Sequence, residues 1–134
     1  MNIYFIQDNM FKQYDTIEEN LGVGRIHQIN EWLSSMGIES YKIKEDLTID
    51  VYANVDISKH RMKELPTFIK FDRIYGGFYA AGNDWQTLRG FPNTVDGDLQ
   101  IKSPSVFVEN DNTAQFLREE VKTYIDVKGI IYNK

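Results

Sequence analysis

Residues 78–88 read Phe78-Tyr79-Ala80-Ala81-Gly82-Asn83-Asp84-Trp85-Gln86-Thr87-Leu88, and the fold turns on them. Phe78, Ala80, Trp85 and Leu88 are apolar at fixed offsets around one asparagine, Asn83. The same offsets 23 residues earlier hold Val55, Ile57, Met62 and Leu65, with His60 in the place of Asn83. Asp56 and Tyr79 share the middle place of the opening triplet. A third triplet, Leu99-Gln100-Ile101, begins 21 residues after Phe78. Each triplet alternates with period two, so it reads as a short strand with two inward residues and one outward residue. An asparagine amide carries donors and an acceptor, which suits a corner where buried backbone groups need partners. The two later apolar residues return the chain under the strand. One such unit cannot bury its own apolar face, so successive units must stack. Gly76-Gly77 and Gly97 precede two of the strand starts and let the chain turn tightly.

Periods of roughly 20–29 residues mark leucine-rich repeats. Upstream, Ile26, Ile29, Leu33 and Met36 share one helical face, which predicts a helix over Arg25–Met36 with Trp32 at its edge. Gly37 follows where a left-handed residue closes a helix. Tyr41 and Ile43, then Leu47, Ile49 and Val51, predict a β-hairpin around Glu45-Asp46. Ile3–Ile6 reads as a strand, and a short helix around 15–21 is an option. Downstream, Val106-Phe107-Val108 is a short apolar run. Asn112 or Thr113 caps a helix whose stripe is Phe116, Leu117, Val121, Tyr124 and Ile125. A break at Gly129 then precedes a last strand over Ile130–Tyr132.

The expected fold class is therefore α/β (α+β): an N-terminal strand and helix, a β-hairpin, two to three stacked leucine-rich-repeat-like β rungs, and a C-terminal capping helix. The chain reads as a single domain over 1–134, with an N-terminal cap at 1–53, rungs at 54–103 and a helical cap at 104–134. The flanks are expected to cover the open ends of the stack, which otherwise expose strand edges.

The 134 residues are 42% hydrophobic and 26% charged, the balance of a folded domain rather than a disordered chain. With no cysteine, disulfide frameworks and thiol nucleophiles are excluded. No apolar run approaches the roughly 20 residues needed to cross a bilayer, and Ile3–Ile6 is too short for a signal sequence. The expectation is a cytoplasmic protein that engages no membrane. Net charge is −5, which disfavours phosphate binding by the chain as a whole. Residues 59–73 run the other way. Lys59, Arg61, Lys63, Lys70 and Arg73 stand against Glu64 and Asp72, a net of +3, so the remainder carries −8. The plain reading of that segment is a solvated loop face.

No catalytic, metal or cofactor motif stands above its structural explanation. His27 lies beside the apolar face of the first helix, and His60 sits where its imidazole can stand in for the corner asparagine. Two distant histidines without cysteine do not make a zinc site. Glu109, Asp111, Thr113 and Glu120 imitate a calcium loop, but Ala114 occupies the place where glycine is needed. Asp96 and Asp98 around Gly97 read as turn chemistry. Gly22-Val23-Gly24 lacks the strand and further glycine of a dinucleotide site, and Gly76-Gly77 lacks the Lys of a P-loop.

Residues 29–103 resemble a family of short leucine-rich-repeat-like proteins of tailed bacteriophages. The resemblance rests on INEWL (29–33), GIESYKI (37–43), DLTIDVYANVDIS (46–58), ELP (64–66) and GGFYAAGNDWQTLRGFPNTVDGDLQI (76–101). It implies a phage or prophage origin and an interaction role, and it brings no catalytic residue. The expected function is a phage-type protein-binding module, not an enzyme, that modulates or inhibits a host factor such as a defence system in the host cytoplasm. Its expected contact face is the outward middle line of the strands, Asp56, Tyr79 and Gln100, bound to a host protein. One alternative is an acidic nucleic-acid mimic that blocks a nucleic-acid-binding protein. The other is a small enzyme whose site is assembled from distant residues. Direct nucleic-acid binding through 59–73 ranks last.

Overall fold

Ile26, Ile29 and Leu33 recur at three- and four-residue spacing, and all three are buried. In the computed structural model, which describes residues 17–101 and 121–132, they belong to helix α1, Ile17–Ser35. The readings at Ile3–Ile6, at 104–120 and at the calcium-like loop lie outside the described residues. The helix starts earlier than the sequence stripe predicts, because Gly22 and Gly24 carry no apolar signal yet do not interrupt it. Its end matches the expectation. Gly37 has φ +74°, the Gly37 N–H donates to Ser34 O at 3.0 Å, and Ile38 N–H donates to Leu33 O at 2.9 Å. Buried Ile38 then packs on the last turn, the usual apolar partner of this closure.

Strands β1, Tyr41–Ile43, and β2, Ile49–Val51, form the expected antiparallel hairpin. Its turn uses Asp46, whose Oδ1 accepts from Thr48 N–H at 3.0 Å and Thr48 Oγ1 at 2.6 Å. Leu47 stands at φ +68° in that turn, outside the alternation it was read to begin.

From β2 onward the chain repeats one plan. A strand joins a first sheet, the chain bends over three residues, and a strand joins a second sheet. The pairs are β2 with β3 (Val55–Asp56), β4 (Phe71–Ile74) with β5 (Phe78–Tyr79), β6 (Thr94–Val95) with β7 (Leu99–Gln100), and β8 (Asp126–Val127) with β9 (Ile131–Tyr132). All these strands pair in parallel with the equivalents before and after them. The first sheet runs β1-β2-β4-β6-β8 and the second β3-β5-β7-β9. The class is thus mixed α/β, with one helix and nine short strands among the described residues.

The bend explains the glycines. Gly97 N–H donates to Gly76 O at 2.9 Å, so consecutive bends stack backbone on backbone. A Cβ on Gly97 would lie 2.8 Å from Gly77 N and 2.9 Å from the Gly76 carbonyl carbon. Close approach, not an unusual φ, is therefore what requires glycine here. A neighbouring acceptor secures two of the bends: Asn54 Oδ1 takes Gly77 N–H at 2.7 Å, and Asp98 Oδ1 takes Ile130 N–H at 2.8 Å.

Between the sheets lies a continuous apolar core of Ile49, Val51, Val55, Ile57, Leu65, Ile69, Ile74, Phe78, Val95 and Leu99, roofed by α1. Rings run through it from Trp32 by way of Phe71, Phe78 and Phe91 to Trp85, with neighbouring centroids 4.9–6.4 Å apart. Fully burying a side chain such as Phe78 contributes about 2–3 kcal/mol. Val121 and Ile125, the described end of the C-terminal apolar stripe, are buried in the same core.

Candidate interaction surface

Parallel register places Asp56 beside Tyr79 and Tyr79 beside Gln100. The three outward residues read from the sequence thus form one line across β3, β5 and β7. Their strand neighbours Phe78, Ala80, Leu99 and Ile101 point inward and are buried. Tyr132 on β9 extends the line by one strand through its pairing with Gln100. The sequence reading missed it because Ile131 follows Leu99 by 32 residues, outside the earlier spacing of 21 and 23.

The line is not uniform. Asp56 is exposed, and its Oδ1 accepts from Ser58 Oγ at 2.6 Å and Ser58 N–H at 3.0 Å. Those bonds favour the carboxylate and hold its pKa below the ordinary value. Tyr79 is half-buried, with its ring laid back over Gly77; a Cβ there would meet the phenol oxygen at 2.5 Å. Gln100 is half-buried. Among the described residues, neither Tyr79 nor Gln100 engages its side chain in a hydrogen bond.

At the end of β3 the chain enters a loop held by buried Asn83. Its Nδ2 donates to Ile57 O at 2.9 Å and Ala80 O at 3.2 Å, and its Oδ1 accepts from His60 N–H at 3.1 Å and Met62 N–H at 2.9 Å. Trp85 Nε1 donates to the same Ala80 carbonyl at 2.8 Å, so the inward tryptophan is satisfied. This is the corner role read for Asn83. His60 does not reproduce it: its imidazole is exposed, and only its backbone meets Asn83. One asparagine reaches back to serve the preceding unit, so that unit needs no amide of its own. Lys59 and Arg61 take φ +60° and +56° in this loop. Left-handed backbone at non-glycine residues costs of order 1 kcal/mol each.

The outside of the first sheet is wired differently. Lys44 bridges Asp72 and, at 3.4 Å, Asp50, while Asn93 Nδ2 donates to Asp72 at 3.0 Å. The hydrogen bond to Asp72 raises the Lys44 pKa, and the hydrogen bonds from Lys44 and Asn93 lower that of Asp72. Buried Asp50 also accepts from Arg73 N–H at 3.2 Å. Arg73 grips Asp96 with two nitrogens at 3.1 and 3.2 Å and lies 4.6 Å over the Tyr75 ring, which stacks on Tyr52 at 4.9 Å. Arg73 is exposed, but it stands on strand β4 in an ion pair rather than on a loop, as its place in 59–73 had implied.

Clefts open among the described residues. One of about 460 Å³ is lined by Gln86–Asn93, Tyr124 and Ile125, with no carboxylate or histidine. Another, of about 330 Å³, gathers Arg25, Asp46, Leu47, Thr67, Phe68 and Lys70, with a single carboxylate. Asp96 and Asp98 are taken up by Arg73 and by Ile130 N–H. Among the described residues no three His, Cys, Asp or Glu side chains gather as metal ligands, and no helix is long and apolar enough to cross a membrane.

No protein-family model, curated protein or solved structure matches the chain.

Proposed function

We propose that the chain is a protein-binding module of the leucine-rich-repeat kind that docks a partner on the outward face of its second sheet. The observation that carries the reading is the line of Asp56, Tyr79 and Gln100, set side by side by parallel register. Tyrosine is a large amphipathic ring that loses little entropy on contact, which suits an anchor. Stacked short units commonly bind through such a sheet surface. The resemblance of residues 29–103 to tailed-phage proteins supports a host protein as the partner. The role is then to modulate or inhibit a host factor such as a defence system in the host cytoplasm.

The acidic-mimic reading is less favoured by the charge pattern. Glu64, Asp50, Asp72, Asp96 and Asp126 are each ion-paired with a lysine or arginine of the chain itself. These five carboxylates, each partnered by a cation of the chain, do not present a row of phosphate-like charge.

Affinity capture from bacterial lysate, with native and Tyr79→Ala baits in parallel, tests the reading. A single host protein retained by the native bait and reduced about tenfold or more with the variant is the expected result. Equal recovery by both baits would remove the second-sheet face from the reading.

A further inference from the structure

Four charged or ionisable residues, Lys59, His60, Arg61 and Lys63, stand exposed on the loop that leaves β3. The cations Lys44, Arg73, Arg89 and Lys128 are all held in ion pairs. Lys59, Arg61 and Lys63 are in none among the described residues, and their side chains make no hydrogen bond there.

The backbone beneath them is fixed. Asn83 takes His60 N–H and Met62 N–H from below, Lys59 N–H donates to Ala81 O at 2.8 Å, and Asp84 N–H donates to Met62 O at 2.9 Å. Gly82 comes close beneath Lys59; a Cβ on it would lie 2.9 Å from the lysine Cγ. Lys59 and Arg61 hold φ values of +60° and +56°, where glycine or asparagine would sit without strain. Folding alone favours those smaller residues at both positions. Lysine and arginine instead place charge outward from a held backbone, so the loop itself need not be ordered on binding.

From this we infer that the Lys59–Lys63 loop is a preorganised docking site for an acidic segment of a protein partner. The inference rests on the reading of the chain as a protein-binding module and adds the partner's chemistry. Asp56 begins the outward line of the second sheet and lies three residues before Lys59. A partner laid on that face would therefore also meet the loop, whose cations complement carboxylates.

The loop's setting favours an acidic peptide over nucleic acid. A polyanion running past the loop meets exposed Asp56, Glu64 and Asp84, and then a chain whose total charge is −5. A short acidic stretch can satisfy the loop and stop.

The test uses the full chain and a fluorescein-labelled peptide of Glu, Asp and Gly, followed by anisotropy at low and physiological salt. The informative variant is Lys59→Gly with Arg61→Gly, because glycine takes both φ values without strain and keeps the fold. Its melting temperature should match or exceed that of the native chain, while peptide affinity falls about tenfold or more. A control carrying Lys42→Gln and Lys122→Gln removes equal charge elsewhere and should bind as the native chain does. Native-like peptide binding by the double-glycine variant would overturn the proposal, as would equal loss in the control. Tighter binding of labelled oligo(dT) than of the peptide would overturn it in favour of nucleic acid. Tyr79→Ala should leave peptide affinity within about twofold. Failure of the sheet-face reading, seen in the capture experiment with that variant, is thus distinguishable from failure of the loop.

Discussion

Across the first sheet, Lys44 bridges Asp50 and Asp72, Asn93 donates to Asp72, and Arg73 reaches Asp96. Across the second, Tyr79 and Gln100 stand in line with neither side chain in a hydrogen bond among the described residues. The same ladder thus carries two kinds of exterior. On the first sheet the outward groups link strands that are distant in sequence, so they fasten one step to the next. On the second sheet, register is already set by the buried triplet residues and by the stacked bends, which leaves Tyr79 and Gln100 unspent among the described residues. Polar residues that satisfy one another are poor candidates for contact with a partner, because binding must first break what they have made. Outward residues with unmet capacity carry no such cost.

The sharpest way to break this comparison is through Asn83, which fixes the end of the second sheet from inside. Asn83→Ala strands the His60 and Met62 amides and the Ile57 carbonyl, and should cost about 2–4 kcal/mol. A thermal melt followed by circular dichroism should show a drop of roughly 10 °C. A drop of only a degree or two would mean that the loop holds itself and that Asn83 is ornamental. Asp72→Asn removes a partner of Lys44 on the first sheet, and about 1 kcal/mol is expected to go with it.

That variant also has a pH signature. The folded Asp72 carboxyl titrates below its ordinary value. Its contribution is therefore complete above the ordinary carboxylate range and is lost as pH falls through the folded value. Native stability should decline as the solution is taken below about pH 5 in urea titrations, and Asp72→Asn should decline less steeply. Gln100→Ala on the second sheet should change stability by no more than about 0.5 kcal/mol. If it costs as much as Asp72→Asn, the two exteriors are alike and the second face loses its distinction.

The stacking itself was legible because Val55, Phe78 and Leu99 do one job at nearly constant spacing, and such repetition leaves the same residue types at the same places. Asn83 and Trp85 were legible for the same reason, since each has a polar atom that only the corner can satisfy. Strands β4 and β6 were not read from the sequence. Phe71-Asp72-Arg73-Ile74 and Thr94-Val95 are short, and their outward residues are charged or polar groups that resemble loop chemistry until their partners are known. The last strand, β9, was read at Ile130–Tyr132, but β8 and the place of both as a fourth step escaped because their spacing departs from the others. Of the candidate surface, the line of Asp56, Tyr79 and Gln100 came from strand alternation alone. Tyr132 needed the pairing, and the rigidity of the Lys59–Lys63 loop needed backbone angles, which composition does not encode.

Leu99 and Ile131 are ladder partners 32 residues apart, where Phe78 and Leu99 are 21 apart. Both intervals end in the same kind of bend, with a glycine whose N–H donates to the glycine carbonyl of the bend before. Alignment is therefore dictated at the bends and is indifferent to how much chain lies between them, since lengthening a connection by half costs only a few tenths of a kcal/mol in closure entropy. A lineage built on this plan can gain or shed loop sequence freely between steps, and can vary what it displays there, while the ladder underneath stays in step.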